Sequence, residues 1–216
     1  PTPGSEPLDI ALTTAAASLE AELVSVPMGS GRVLTRFELR AAPELSKLPK
    51  QAYVVVLIDA SRSTGASFEQ AAKAATLSYL SHLPDAHVEI LTFDRAVRQQ
   101  LGGFGTASAA RFATQVLSLG QLNGSDVDRA LFEADQLLST TPRGAPRRIV
   151  VLTDGLTRST LTPQRLRAAL AQSRPLVHVG LLHGGAPGLR RTDDHVWAEP
   201  IRATGGVVWS ASAPFD

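Results

Sequence analysis

Cysteine is absent from the 216 residues, and methionine occurs once. Without cysteine there are no disulfides, no thiolate metal sites and no cysteine nucleophile. Its absence does not fix a compartment. Aromatic residues make up only 5% of the chain, and no apolar run approaches the roughly 18 residues that a membrane-spanning helix needs. Charge of one sign is also missing. The formal net charge is +1, without the basic excess that nucleic-acid-binding domains gather on one face. At the N-terminus, Pro1-Thr2-Pro3-Gly4 leads into no basic segment followed by an apolar one, so no signal peptide is read. Starting at Pro rather than Met, the chain reads as a processed or excised part of a larger multidomain protein. Its address would then lie outside this sequence, with an extracytoplasmic or cell-surface location favoured.

What the chain does have is apolar material, 44% of its residues, enough for one α/β domain and a modest extra element. Residues 1–50 and 51–216 read differently. In the first stretch, short alternating segments at Leu8–Leu12, Leu19–Val26 and Val33–Leu39 are punctuated by Pro27 and Gly29-Ser30-Gly31. Such alternation bounded by Gly and Pro predicts strands and a hairpin, a β-rich N-terminal extension that ends in a linker holding Pro43 and Pro49. Two readings stay open: an appendage on the main domain, or part of a second β-domain.

From residue 51 strands and helices alternate. Strands are predicted at Tyr53–Ile58, Val88–Phe93, Val97–Leu101, Arg148–Leu152, Val177–Leu182 and Val207–Trp209. Helices are predicted at Ser67–Leu83, Ala107–Leu119, Asp126–Leu138, from Thr162-Pro163, and at Val196–Ala203. Repeated strand–helix–strand units imply an α/β, Rossmann-like three-layer fold: a six-stranded, mostly parallel sheet with one short antiparallel edge strand and helices on both faces. Ligands of such sheets sit beyond the carboxyl ends of the strands. Two buried strands deliver an aspartate to that edge, Asp59 and Asp154.

In Val54-Val55-Val56-Leu57-Ile58-Asp59-Ala60-Ser61-Arg62-Ser63, one carboxylate and two hydroxyls occupy alternate positions straight after a buried strand. On an extended or tightly looped tip, alternate side chains point the same way. Asp154 supplies a second carboxylate from another strand end, and Ser125 in Asn123-Gly124-Ser125-Asp126 supplies a third hydroxyl. An all-oxygen set with few carboxylates suits a hard cation, Mg²⁺ or alternatively Mn²⁺ or Ca²⁺.

These residues resemble the metal-ion-dependent adhesion site of the von Willebrand factor A family. Asp59, Ser61 and Ser63 match its DxSxS motif, and Asp154 in Val150-Val151-Leu152-Thr153-Asp154-Gly155 matches its strand–Thr–Asp–Gly signature. Ser125 falls where the family has threonine, and Ala203-Thr204-Gly205-Gly206-Val207 resembles its junction into the last strand. The resemblance covers roughly residues 51–213. It implies that Ser61, Ser63 and Ser125 contact the ion directly, that Asp59 and Asp154 act partly through water, and that an open position accepts an Asp or Glu from a protein partner. Arg62 and Asp126 are assigned to partner contact. In its strands before Gln51 the chain resembles the bacterial relatives of inter-α-trypsin inhibitor heavy chains, in which a β-rich element precedes this domain.

Plainer roles compete. Ser125 could serve as the N-cap of the helix that starts near Asp126, as a ligand, or as both. Asp94 also ends a strand but lacks following hydroxyls, so turn chemistry explains it. The five histidines show no ligand spacing. Asp193 and Asp194 read as solvated charge, and Gly184–Gly188 as a flexible loop that is no phosphate loop. A Mg²⁺-dependent phosphotransferase would need an acid/base two residues after Asp59, where Ser61 stands, so no enzyme is expected. The remaining rival is a metal-independent scaffold domain with a vestigial site.

Overall fold

Alternation in the N-terminal stretch becomes an antiparallel hairpin. Strand β1 (Leu19–Pro27) pairs with β2 (Val33–Ala41) from Leu19↔Ala41 to Pro27↔Val33. This computed structural model describes residues 19–41, 49–120, 123–156, 162–182 and 188–212. The segment Leu8–Leu12 lies outside them. The chain divides into two compact units, Pro1–Leu48 and Pro49–Asp216. In the hairpin Val26, Val33, Leu34 and Phe37 are exposed.

Among the described residues, the second unit is built on a sheet of eight strands: β3 (Tyr53–Asp59), β4 (His87–Phe93), β5 (Val97–Gln99), β6 (Gly105–Thr106), β7 (Arg147–Thr153), β8 (Leu176–Leu182), β9 (Gly188–Arg191) and β10 (Val208–Ser212). Their spatial order is β5-β4-β3-β7-β8-β10-β9, with β6 added to β4. The pairs β3–β4, β3–β7, β7–β8 and β8–β10 are parallel, whereas β5, β6 and β9 run antiparallel to their neighbours. The α/β architecture is as expected, with two short strands beyond the predicted six. Both are nearly invisible to periodicity: β6 is two residues long, and β9 opens at the end of the glycine-rich stretch read as a loop.

Helices cover both faces: α1 (Gly65–Ser81), α2 (Ala107–Val116), α3 (Val127–Ser139), α4 (Pro163–Ala169) and α5 (Ala198–Arg202). The period of two along β3 sends Val54, Val56 and Ile58 into one core with Phe68, Ala72 and Leu80 of α1 and Ala110 of α2. Val55 and Leu57 enter the other, with Leu131 and Leu138 of α3, Leu166 of α4 and Ile201 of α5. Because both faces are covered, β3 reads as an unbroken apolar run. Each such aliphatic side chain contributes about 1.5–3 kcal/mol by leaving water. Helix α4 begins as its sequence predicts: the Thr162 side chain accepts a hydrogen bond from the Arg165 N–H, and Pro163 follows as first residue.

Strand order reverses at β3. The chain moves from β3 to β4 on one side, and its later parallel strands β7, β8 and β10 are laid down on the other. The crevice between the carboxyl ends of β3 and β7 is therefore the ligand-binding position of an open α/β sheet.

Candidate metal centre

Asp59 is the last residue of β3 and is fully buried. Its Oδ1 accepts the Ser61 backbone N–H at 2.9 Å. Its Oδ2 accepts the hydroxyls of Ser125 at 3.0 Å and Thr153 at 2.7 Å. Three separate chain segments thus close on one carboxylate. Burial pushes the Asp59 carboxyl above its ordinary value, against the lowering pull of the hydrogen bonds from Thr153, Ser61 and Ser125.

After Asp59 the chain stays extended at Ser61 (φ −72°, ψ 157°) and then tightens into a 3₁₀ turn, Arg62–Thr64. The Thr64 hydroxyl donates to the Ser61 carbonyl at 2.8 Å and braces that turn. The turn, rather than continued extension, brings Ser63 back so that its Oγ lies 3.0 Å from Ser61 Oγ. Ser61 is buried and Ser63 is exposed, so the hydroxyl pair runs from the floor of the site to its mouth.

Ser125 is buried, and it is not the helix cap. The cap of α3 is Asp126, whose carboxylate accepts the Arg129 N–H at 3.1 Å. This leaves the Ser125 hydroxyl for Asp59. The loop is held in place from behind, where the Asp126 N–H donates to the Asp94 carbonyl at 2.8 Å. Asp94 itself closes a turn: Oδ1 accepts the Ala96 N–H and Oδ2 takes the Arg98 guanidinium at 2.7 Å. Burial alone would raise the Asp94 carboxyl, but those contacts outweigh it and hold it below its ordinary value.

Thr153 ends β7, and its backbone partner across the sheet would be Asp59, one step past the last pair Ile58↔Leu152. The strand–Thr–Asp–Gly signature contains this threonine but gives it no role of its own. A hydroxyl closing the apolar run Ile149-Val150-Val151-Leu152 was the available signal. Asp154 follows it, half-buried. One of its oxygens, Oδ1, accepts the Leu156 N–H at 2.9 Å, while Oδ2 is buried with no hydrogen-bond partner among the described residues.

The remaining candidates are also located. Arg62 is exposed on the 3₁₀ turn, and Asp126 is exposed at the start of α3. Asp193 is surface charge, paired with Arg191 at 2.8 Å and Arg202 at 3.1 Å. Among the described residues, no three His, Cys, Asp or Glu side chains gather where they could hold a metal. Any cation at Asp59 would therefore depend on hydroxyl oxygens. Those oxygens fit: a hydroxyl that donates its proton to a carboxylate keeps its lone pairs, and the donation makes the oxygen a better ligand. The unpartnered Asp154 Oδ2 and the desolvated Asp59 carboxylate are each anionic groups whose burial a cation would offset.

The sequence profile of the von Willebrand factor type A domain matches residues 54–156, the span that carries Asp59, Ser61, Ser63, Ser125 and Asp154. Over that span the chain is similar to a von Willebrand factor type A domain. Solved structures share its fold. A von Willebrand factor type A protein from Catenulispora acidiphila is 20% identical with a TM-score of 0.56, and the match covers 93% of this chain and 47% of that one. Protein BatB from Bacteroides thetaiotaomicron is 19% identical with a TM-score of 0.58, covering 76% and 91%. Proximal thread matrix protein 1 of the mussel byssus is 14% identical with a TM-score of 0.59, covering 76% and 44%; its metal-ion-dependent adhesion site is occupied by zinc. No curated protein is significantly similar in sequence. Domains of this type are generally protein-interaction modules rather than enzymes. Among the described residues of this one, no helix is long and apolar enough to cross a membrane.

Proposed function

We propose that the A-type domain holds one divalent cation, Mg²⁺ or else Mn²⁺ or Ca²⁺, and uses it to bind a protein partner that presents an Asp or Glu. Ser61, Ser63 and Ser125 would hold the ion directly, with Asp59 and Asp154 acting partly through water. A bound cation would supply an electrophilic centre for the partner's carboxylate. The chain's own residues do the rest. Asp59 organises the hydroxyls of Ser125 and Thr153, and the 3₁₀ turn presents Ser63 at the mouth. The three residues proposed to touch the ion directly are neutral hydroxyls, so the ion stays electrophilic and an incoming carboxylate gains a charge-assisted contact. The observation that carries this reading is the buried, unpartnered Asp154 Oδ2, one residue beyond the threonine that grips Asp59.

The test is a thermal melt with increasing Mg²⁺, Mn²⁺ or Ca²⁺. Ligand at a hundred times its Kd stabilises the native state by about 2.7 kcal/mol, so the midpoint should rise with millimolar ion. In Asp59→Ala and in the shape-preserving Asp154→Asn, the rise should shrink or vanish. A wild-type midpoint indifferent to all three ions overturns the proposal.

One observation favours a second reading, a metal-independent scaffold. Both oxygens of Asp59 already accept hydrogen bonds from within the chain. An indifferent melt would favour that scaffold.

A further inference from the structure

We infer that the rim of the cation site is built for an acidic segment with at least two carboxylates, one directed to the ion and another to the guanidinium of Arg95. This rests on the cation reading above and names the partner's chemistry more closely. Arg95 lies in the turn between β4 and β5, which is fastened to the Ser125 loop through the Asp126 N–H and the Asp94 carbonyl. Gly124 sits in that loop at φ +97°, and its missing Cβ makes room for the arginine. A Cβ built there would lie 2.7 Å from Arg95 Cγ and 3.2 Å from Nε. The aliphatic stem therefore rests on Gly124, beside the residue whose hydroxyl meets Asp59.

The head of this side chain has nothing to bind within the described residues. Arg95 is exposed, and among those residues it enters no ion pair and no side-chain hydrogen bond. The carboxylates next to it in the two joined loops are engaged elsewhere: Asp94 by Arg98 and Asp126 by the Arg129 N–H. Arg62, exposed between Ser61 and Ser63, likewise has no partner among the described residues. Two exposed arginines without an ion pair among the described residues thus stand on the loops that would hold a divalent cation, Arg62 on the 3₁₀ turn and Arg95 against Gly124. Like charges so placed repel one another and the ion, and only an arriving anion relieves all of them together. Packing of the Arg95 stem limits its freedom beforehand, and the planar fork suits a carboxylate in two-bonded geometry. A single acidic side chain would satisfy the ion and leave both guanidiniums unused. A flexible run of acidic residues satisfies both kinds of site.

The experiment uses the full chain and two capped peptides, Gly-Asp-Glu-Asp-Gly and Gly-Asn-Glu-Asn-Gly, titrated by NMR at saturating Mg²⁺. Mg²⁺ alone is titrated first, into wild type and Arg95→Gln. The wild type should bind the triacid about tenfold more tightly than the monoacid, and Arg95→Gln should reduce that ratio to about threefold or less. Its affinity for Mg²⁺ alone should be equal or higher. Arg95→Lys keeps the charge but loses the fork, so its ratio should fall between the two. Mg²⁺ binding with no triacid preference, or a preference untouched by Arg95→Gln, overturns this inference while leaving the cation reading intact. Failure of wild type to bind Mg²⁺ overturns both, and the metal-only titration shows which has failed.

Discussion

At the scale of single residues, buried polar groups decide what the chain tolerates. Asp135 on α3 is buried and accepts the backbone N–H groups of Gln172 at 3.0 Å and Ser173 at 2.9 Å, together with the Ser173 hydroxyl. It fastens α3 to the turn before β8. Asp135→Ala removes three charge-assisted bonds and strands their donors, so it should cost about 3 kcal/mol. The check is a fall in the urea midpoint at unchanged slope. His178 gives a pH signature. Burial, and then the Arg148 charge, hold its imidazole below the ordinary value of 6.5, and its Nδ1 accepts the Val207 N–H. The folded state then binds fewer protons than the unfolded state below pH 6.5. The contribution is therefore complete above that pH and is lost as pH falls below it, through the lower folded-state value. Melting points measured down from pH 7.5 should drop, and His178→Gln should flatten that part of the profile. The Ser125–Asp126 pair shows where reading residues one at a time stops. Both are good caps, and the sequence left Ser125 between cap and ligand. Only the backbone path assigned the cap to Asp126 and turned the Ser125 hydroxyl to Asp59.

At the scale of elements, β8 packs so closely against β10 and the connection leading into it that Gly180 in β8 and Gly206 in that connection are structural. A Cβ on Gly206 would lie 1.6 Å from the Val177 carbonyl oxygen, which is backbone and cannot step aside. Gly206→Ala should cost at least about 3 kcal/mol and impair folding. On Gly180, the Cβ would meet Trp209 ring atoms at 2.5 and 2.7 Å, a side chain with some freedom, so Gly180→Ala should cost about 1–3 kcal/mol. Thermal melts with near-ultraviolet dichroism of both variants test the order. Long, strongly patterned elements were legible: the runs at 53–58, 88–93, 148–152 and 177–182 all became central strands. The helix read at Ala107–Leu119 ends earlier, at Val116. There Glu69 of α1 accepts the Leu119 N–H at 3.0 Å, so a tertiary bond takes a group that a longer helix would have used. Strands β6 and β9 were not legible, since two and four residues carry no period and exist only because a neighbour's edge accepts them.

At the scale of the molecule, sheet order sets how local openings are distributed. Strands β3, β4 and β7 lie in the interior of the sheet, and their central side chains are buried on both faces. Strands β5, β6 and β9 are short and peripheral. Native-state hydrogen exchange should therefore find the slowest amides at Val54–Ile58 and Ile149–Leu152, with β5 and β9 exchanging orders of magnitude sooner. Equal protection across the sheet would show that the domain opens only as a whole.

Composition and periodicity determined the class of this protein: a layered α/β domain with oxygen-bearing side chains at strand ends. Apolar runs can be buried only between helical layers, and polar residues that terminate them must emerge at the rim. Tertiary structure alone decided how those side chains meet. Ser125 and Thr153 lie 66 and 94 residues from Asp59 and meet its carboxylate because β7 settled beside β3 and the Ser125 loop is tied to the end of β4 through Asp94. That adjacency depends on long-range packing, to which the local pattern around each residue is blind.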